Sequence, residues 1–190
     1  KDFRGKEAMQ ALGIRSKCVT LLIDGPDDAD PWGMRVTGFR DPAGRFRLMT
    51  REEAARFAGV SRTRLAPVRV IEDGPVRVVA EALFSFGSSA VCQHYKVPRK
   101  GTEVEVETRV LWQEKDAMVK LALPTPWKRG TLLGQVAYGA QEFPATGEEG
   151  AAQKWLAVSD SKGDRTFSII NDTTYGFDMK DGVLRLSLLR

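Results

Sequence analysis

Gln153-Lys-Trp-Leu-Ala-Val-Ser-Asp160, Arg165-Thr-Phe-Ser-Ile-Ile-Asn-Asp-Thr-Thr-Tyr-Gly-Phe-Asp178 and Gly182-Val-Leu-Arg-Leu-Ser-Leu-Leu-Arg190 follow one another at the end of the chain. All three runs are rich in β-branched and large apolar residues. Between them stand Ser159-Asp-Ser-Lys-Gly-Asp164 and Lys180-Asp-Gly182, which carry the Asp and Gly chemistry that reverses a chain. In the last run Val183, Arg185, Ser187 and Leu189 alternate with Leu184, Leu186, Leu188 and Arg190, so one face is leucine until the final residue. A period of two with one apolar face predicts a half-buried strand. The chain stops inside that strand, and an unfinished strand leaves an open ladder edge. The expectation is a β-domain cut from something longer, and a first residue of Lys1 points the same way.

The same alternation runs upstream. From Pro67 onward the pattern predicts strands throughout, beginning with Val68 to Ile71 and the tight turn Glu72-Asp-Gly-Pro75. Val76, Val78, Ala80, Ala82, Phe84 and Phe86 share one face, with Arg77, Glu81 and Ser85 on the other. Ser88 to Val97 follows Gly87. Val104, Val106, Thr108, Val110 and Trp112 then alternate with Glu103, Glu105, Glu107 and Arg109, which predicts one buried and one charged face. Val119, Leu121 and Leu123 alternate around Lys120 until Pro124, and Leu132 to Phe143 reads as a further strand with glycines. Before Pro67, Lys17 to Ile23 reads as a strand and Asp41-Pro-Ala-Gly44 as a hairpin turn, with a short helical turn around Ala8 to Leu12. Thr50 with Glu53 three residues on forms a capping box that opens a short helix to Ala58, ended by Gly59. Long alternating strands with one or two short helices predict an all-β fold, mainly an antiparallel β-sandwich. Residues 1–66 read as an N-terminal part of this β-domain carrying the helix. Residues 67–190 read as the sandwich core, truncated at its C-terminal end.

Composition narrows the function classes. The net charge of +4 comes from 29 basic and 25 acidic residues interspersed along the chain. That lacks the basic stripe of a nucleic-acid binder, so no nucleic acid is expected as partner. No apolar run reaches the roughly 20 residues of a membrane helix, so no membrane partner is expected. Cys18 and Cys92 each sit in an apolar, strand-like setting. They read as two reduced, buried thiols, which suits a cytoplasmic location.

Local candidates for chemistry are few. Asp24, Asp27, Asp28 and Asp30 fall within seven residues, but their spacing lacks the closing Glu of a twelve-residue calcium loop, and a solvated turn accounts for them. His94 is the single histidine and shares a face with Cys92. The pair lacks the further ligands that structural zinc requires, even with Cys18 added, so no metal site and no cofactor is expected in these residues. Trp112 and Trp155 alternate with apolar residues inside strands and read as core. Carboxylates are plentiful, yet no pair stands in a signature that marks a glycosidase site.

The three closing blocks resemble the C-terminal β-domain of α-mannosidases of glycoside hydrolase family 38. That family shows Gln-Arg-Trp leading to Ser-Asp, an Asn-Asp-x-Lys-Tyr-Gly-Tyr-Asp loop, and Leu-x-Leu-Ser-Leu-Leu-Arg running into Ser-Pro. Here Gln153-Lys-Trp155, Asn171-Asp-Thr-Thr-Tyr-Gly-Phe-Asp178 and Leu184 to Arg190 stand in that order. Ile71-Glu-Asp-Gly-Pro-Val-Arg77 and Val110-Leu-Trp-Gln-Glu114 are also similar. Thr174 replaces the family's Lys, and no Ser-Pro follows Arg190.

The resemblance implies a galactose-mutarotase-like super-sandwich packed on its own N-terminal catalytic barrel, which becomes its expected partner. It implies hydrolysis of α-mannosides with retention, and zinc held by two His and two Asp in that missing domain. None of those catalytic residues carries over, so this stretch alone is expected to be inactive. What carries over is the loop with Asn171, Asp172 and Tyr175, which on this reading contributes to the mannoside site. On the plainer reading the Asn-Asp pair builds an Asx-type turn and Tyr175 covers a sheet end. A stand-alone carbohydrate-binding β-sandwich is the alternative function.

Overall fold

The computed structural model describes residues 19–23 (backbone only), 42, 44–60, 62–115 and 117–189. The expected helical turn at Ala8 to Leu12, the Asp24 to Asp30 loop, Cys18 and half of the Asp41 to Gly44 turn lie outside these residues. Fifteen strands and a single helix are found among those described, and every strand pairing is antiparallel. The described residues divide into two units, one holding those between 46 and 115 and the other those between 19 and 45 and between 117 and 189.

In the first unit a five-stranded sheet is built from β3 (Arg47–Leu48), β4 (Val68–Asp73), β5 (Arg77–Phe86), β6 (Ser89–Pro98) and β7 (Glu105–Leu111). β5 pairs with β6 along its whole length, while β3 and β4 share its other edge. Two-residue alternation sends Val78, Ala80, Ala82 and Phe84 of β5 to one face, where they are buried with Val91, Gln93 and Tyr95 of β6. Gln93 is fully buried and satisfied: it accepts from the Tyr95 hydroxyl at 2.6 Å and donates to Thr108 Oγ1 at 3.1 Å. The opposite face is polar along one row and apolar at its Leu83 end, where Met49, Ala54, Leu83 and Cys92 cluster. The expected burial of the β7 apolar face is corrected. Val106 is 40% exposed because β7 is the sheet's edge strand, with a neighbour on one side only. Trp112, just past β7, is half-buried instead of fully enclosed.

The helix α1 (Arg51–Phe57) starts as its capping box predicts. Thr50 Oγ1 accepts from the Glu53 backbone N–H at 3.2 Å, and the Glu53 carboxylate accepts from the Thr50 N–H at 2.8 Å. Arg47 grips the same carboxylate with two hydrogen bonds, at 2.6 and 2.8 Å. That guanidinium, then the Thr50 backbone, lowers the Glu53 pKa to about 2. A depressed carboxylate stabilises the fold above the unfolded value of 4.5, and the contribution is lost as pH falls toward about 2. Thermal melts of Glu53→Gln, which retains a capping side chain, are therefore expected to show a deficit against the parent at neutral pH that closes as pH approaches 2. A deficit independent of pH contradicts the ion pair.

The second unit is a sandwich of two sheets. The six-stranded sheet runs β11 (Gly150–Ala151), β14 (Gly176–Lys180), β15 (Val183–Leu189), β8 (Ala117–Pro124), β1 (Val19–Ile23), β2 (Gly44–Arg45). The four-stranded sheet runs β10 (Gly139–Phe143), β9 (Thr131–Val136), β12 (Trp155–Ser159), β13 (Thr166–Ile170). Leu132, Leu156 and Val158 from the smaller sheet pack with Phe177, Met179, Leu184 and Leu186 from the larger, and this is the unit's core. Phe143 meets Phe177 edge to face, with ring centroids 4.9 Å apart. The hairpin β14–β15 turns on Asp181 and Gly182, both at positive φ (51° and 75°), the pairing that an Asp-Gly turn favours. A side chain at Gly182 would also meet the Trp127 carbonyl oxygen, with its Cβ at 2.7 Å.

Two expectations are corrected here. The span Leu132 to Phe143 is a hairpin, not one strand: Ala137 and Tyr138 form a two-residue loop with Tyr138 at φ 65°. Neither residue is a turn former, so nothing in the two loop residues themselves marks the reversal. The strands on either side of the Asn171 loop, β13 and β14, belong to different sheets. Trp155 is half-buried and lies on the face opposite Leu156 and Val158, which are the core-facing pair.

Candidate functional site

The crossover from β13 to β14 is the segment 171–175, and it carries the residues singled out from the sequence. Its backbone is tied at both ends. Asn171 N–H donates to the Lys154 carbonyl at 2.8 Å, and Ala152 N–H donates to the Tyr175 carbonyl at 2.9 Å. Lys154 Nζ donates to the Asp172 carbonyl at 2.9 Å. Asn171 Oδ1 accepts from Thr174 N–H at 3.1 Å, an Asx-type turn that occupies the side-chain oxygen. Asp172 is exposed, and Tyr175 is 52% exposed. Next to them Ile170 is 83% exposed, paired across the strand with half-buried Trp155. A carboxylate, a phenol and an apolar side chain are thus displayed on a loop whose ends rigid strands hold.

The strand that leaves this loop delivers Asp178 to a buried charge cluster. On the face of the six-stranded sheet turned away from the leucines, Lys120 Nζ donates to Asp178 Oδ2 at 2.6 Å and also to Glu149. Arg185 Nε donates to Asp178 Oδ1 at 2.6 Å. The side chains of Lys120 and Asp178 are both fully buried, and that of Glu149 is 4% exposed. Two cations against two carboxylates leave no net charge, which is the condition for tolerating such burial. Burial pushes the Glu149 carboxyl above the ordinary value of 4.5, opposed by the hydrogen bond from Lys120. Lys120 and Arg185 occupy the alternate positions that a half-buried strand would turn to solvent, so the sequence offered no signal for this cluster.

In the first unit, a row of opposed residues crosses four strands: Arg69, Glu81, His94 and Glu107. Arg69 pairs with Glu81 Oε1 at 2.6 Å, and His94 Nδ1 lies 4.0 Å from Glu107 Oε2. His94 Nε2 lies 3.2 Å from Glu81 Oε2. Cys92, two residues along the same face, sets its sulfur 3.6 Å from His94 Nε2 and 3.8 Å from Glu81 Oε2. Burial, then the Glu81 charge, pushes the Cys92 thiol up from its usual range. The same face continues in charge, since Lys96 bridges Glu105 at 2.5 Å and Glu107 at 3.2 Å. The sequence placed Cys92 and His94 on one face but missed Glu81, which reaches them only through strand pairing.

No helix among the described residues is long and apolar enough to cross a membrane. A search of curated proteins gives no match. The model of the family described as "Glycosyl hydrolases family 38 C-terminal domain" matches residues 26–190. That span takes in every strand of the sandwich except β1, the 171–175 crossover and the five-stranded sheet. With most of the chain matched, and the antiparallel β-architecture that the closing sequence blocks predict, this chain belongs to the glycoside hydrolase family 38 C-terminal domain family.

Proposed function

We propose that this chain is the non-catalytic C-terminal β-sandwich portion of a zinc-dependent, retaining α-mannosidase-like hydrolase, and that it supports the catalytic barrel. The observation that carries this reading is the family match across residues 26–190. The barrel is then its partner, and mannoside-type carbohydrate is met through the intact, cytoplasmic enzyme. The loop with Asp172 and Tyr175 is the surface we assign to the barrel or to the sugar at its mouth. Support comes from its exposed carboxylate, its phenol and the exposed Ile170 beside them, all on a strand-anchored crossover. Such groups suit sugar contact or domain docking better than a plain turn.

The family's zinc set of two His and two Asp does not fit this chain, whose single histidine is His94. On this reading these residues hold none of the zinc and carry none of the hydrolytic chemistry. The intact protein is expected to release the aglycone from an aryl α-mannoside, while the 190-residue chain alone releases none. Turnover by the chain alone overturns the non-catalytic assignment. An intact protein that ignores α-mannosides overturns the substrate assignment.

A further inference from the structure

We propose that Glu81, Cys92 and His94 form a zinc-class metal site on the β5–β6 face, with one coordination position left to water. The three donor atoms are Glu81 Oε2, Cys92 Sγ and His94 Nε2, all within 4.8 Å of one another. Their separations are 3.2 Å (O to N), 3.6 Å (S to N) and 3.8 Å (S to O). A tetrahedral ion at about 2.3 Å from sulfur and about 2.0–2.2 Å from nitrogen and oxygen sets its ligand atoms roughly 3.4–3.6 Å apart. The trio already stands within a few tenths of an ångström of that triangle, so metal entry requires displaced protons more than moved strands.

Strand pairing explains why the arrangement is rigid. Glu81 and His94 are direct cross-strand partners, and Cys92 is one two-residue step along the same face. The outer contacts also match what metal ligands require. Arg69 holds the far oxygen of Glu81 at 2.6 Å and leaves Oε2 aimed at the sulfur and the ring. Glu107 lies on the Nδ1 side of His94, 4.0 Å away, so a ring that binds a metal through Nε2 has a carboxylate on its other side.

The donor set decides the class of ion. A thiolate with an imidazole excludes calcium and magnesium, which take oxygen ligands, and favours zinc, cobalt and their neighbours. Thiolate and carboxylate offset the two charges of the ion itself, which lessens the cost of holding it in a partly buried site. The His94 side chain is 23% exposed and that of Glu81 12%, which gives an entry path and room for the water. This inference stands apart from the proposed function and departs from the expectation of a metal-free stretch, because the third ligand comes from a neighbouring strand.

The test uses the 190-residue chain carrying Cys18→Ser, so that Cys92 is the sole thiol, titrated with cobalt(II) and zinc(II) chloride. The expected result is saturation near one ion per chain with a thiolate-to-cobalt charge-transfer band. That band should vanish in Cys92→Ser, and His94→Ala and Glu81→Gln should weaken zinc by at least about tenfold, as should Arg69→Met if it orients the carboxylate. Thermal melts establish that each variant folds. Should one not fold, zinc protection of Cys92 against alkylation in the Cys18→Ser chain gives a second reading. No charge-transfer band, or alkylation at the same rate with and without zinc, overturns the site.

Discussion

Replacing Lys120 by Met is expected to cost about 3–5 kcal/mol of folding stability, the usual consequence of stripping one partner from a buried ion pair. The side chains of Lys120 and Asp178 are fully buried and that of Glu149 nearly so, so the carboxylates left behind cannot turn to water. Arg185 keeps its hydrogen bond to Asp178, which leaves Glu149 as the group most exposed to the loss. Against a typical total of about 5–15 kcal/mol, this one substitution removes a large share. Adding Glu149→Gln should return part of it, roughly 0.5–3 kcal/mol of coupling, because the orphaned charge is then gone.

The same logic fixes the pH dependence. A carboxyl whose folded pKa lies above its unfolded value favours the folded state when protonated. That advantage is present below the ordinary carboxylate range and is lost as pH rises through the folded value. Glu149 is already raised, and removing Lys120 takes away the hydrogen bond that opposes its burial. The deficit of Lys120→Met relative to the parent is therefore expected to shrink in acid and widen toward neutral pH. Denaturant unfolding of parent, single and double variants at two pH values measures it. A cost below about 1 kcal/mol, unchanged by pH, contradicts a buried cluster.

The sheet architecture was legible because alternation is a local property. β5, β8 and β15 can be written down from every second residue, and Asp181-Gly182 announces its own hairpin. What alternation cannot state is what lies over the second face. Arg185 and Ser187 look like solvent positions, yet their face also holds Lys120 and Asp178, both fully buried. Nor does it show which strands become neighbours. Glu81 and His94 are thirteen residues apart and meet because β5 and β6 pair. One turn escaped for the opposite reason. The β9–β10 loop places Tyr138 at positive φ where neither Gly nor Asn stands, whereas the polar run from Asn171 reads as a loop without saying that it passes between sheets. The helix start was fully legible, since Thr50 and Glu53 act within four residues of each other.

The loop residues themselves were readable only through family resemblance. Composition gives no reason to prefer Asn171, Asp172 and Tyr175 over other polar turns. Their placement does separate them: Asn171 spends its oxygen on Thr174, while Asp172 and Tyr175 remain exposed. The burden of sugar or barrel contact therefore falls on those two.

The measurement that bears most directly on this account is kcat/KM for an aryl α-mannoside, taken with thermal stability, in the intact protein carrying Asp172→Ala or Tyr175→Ala. A lost hydrogen bond at the sugar, worth about 1–3 kcal/mol, lowers kcat/KM by roughly five- to hundred-fold with little change in melting temperature. Contact with the barrel alone instead lowers the melting temperature and leaves kcat/KM intact. Either result agrees with a β-domain that presents this loop to its catalytic partner. Variants that match the parent in both activity and stability would contradict it and make the crossover an ordinary turn.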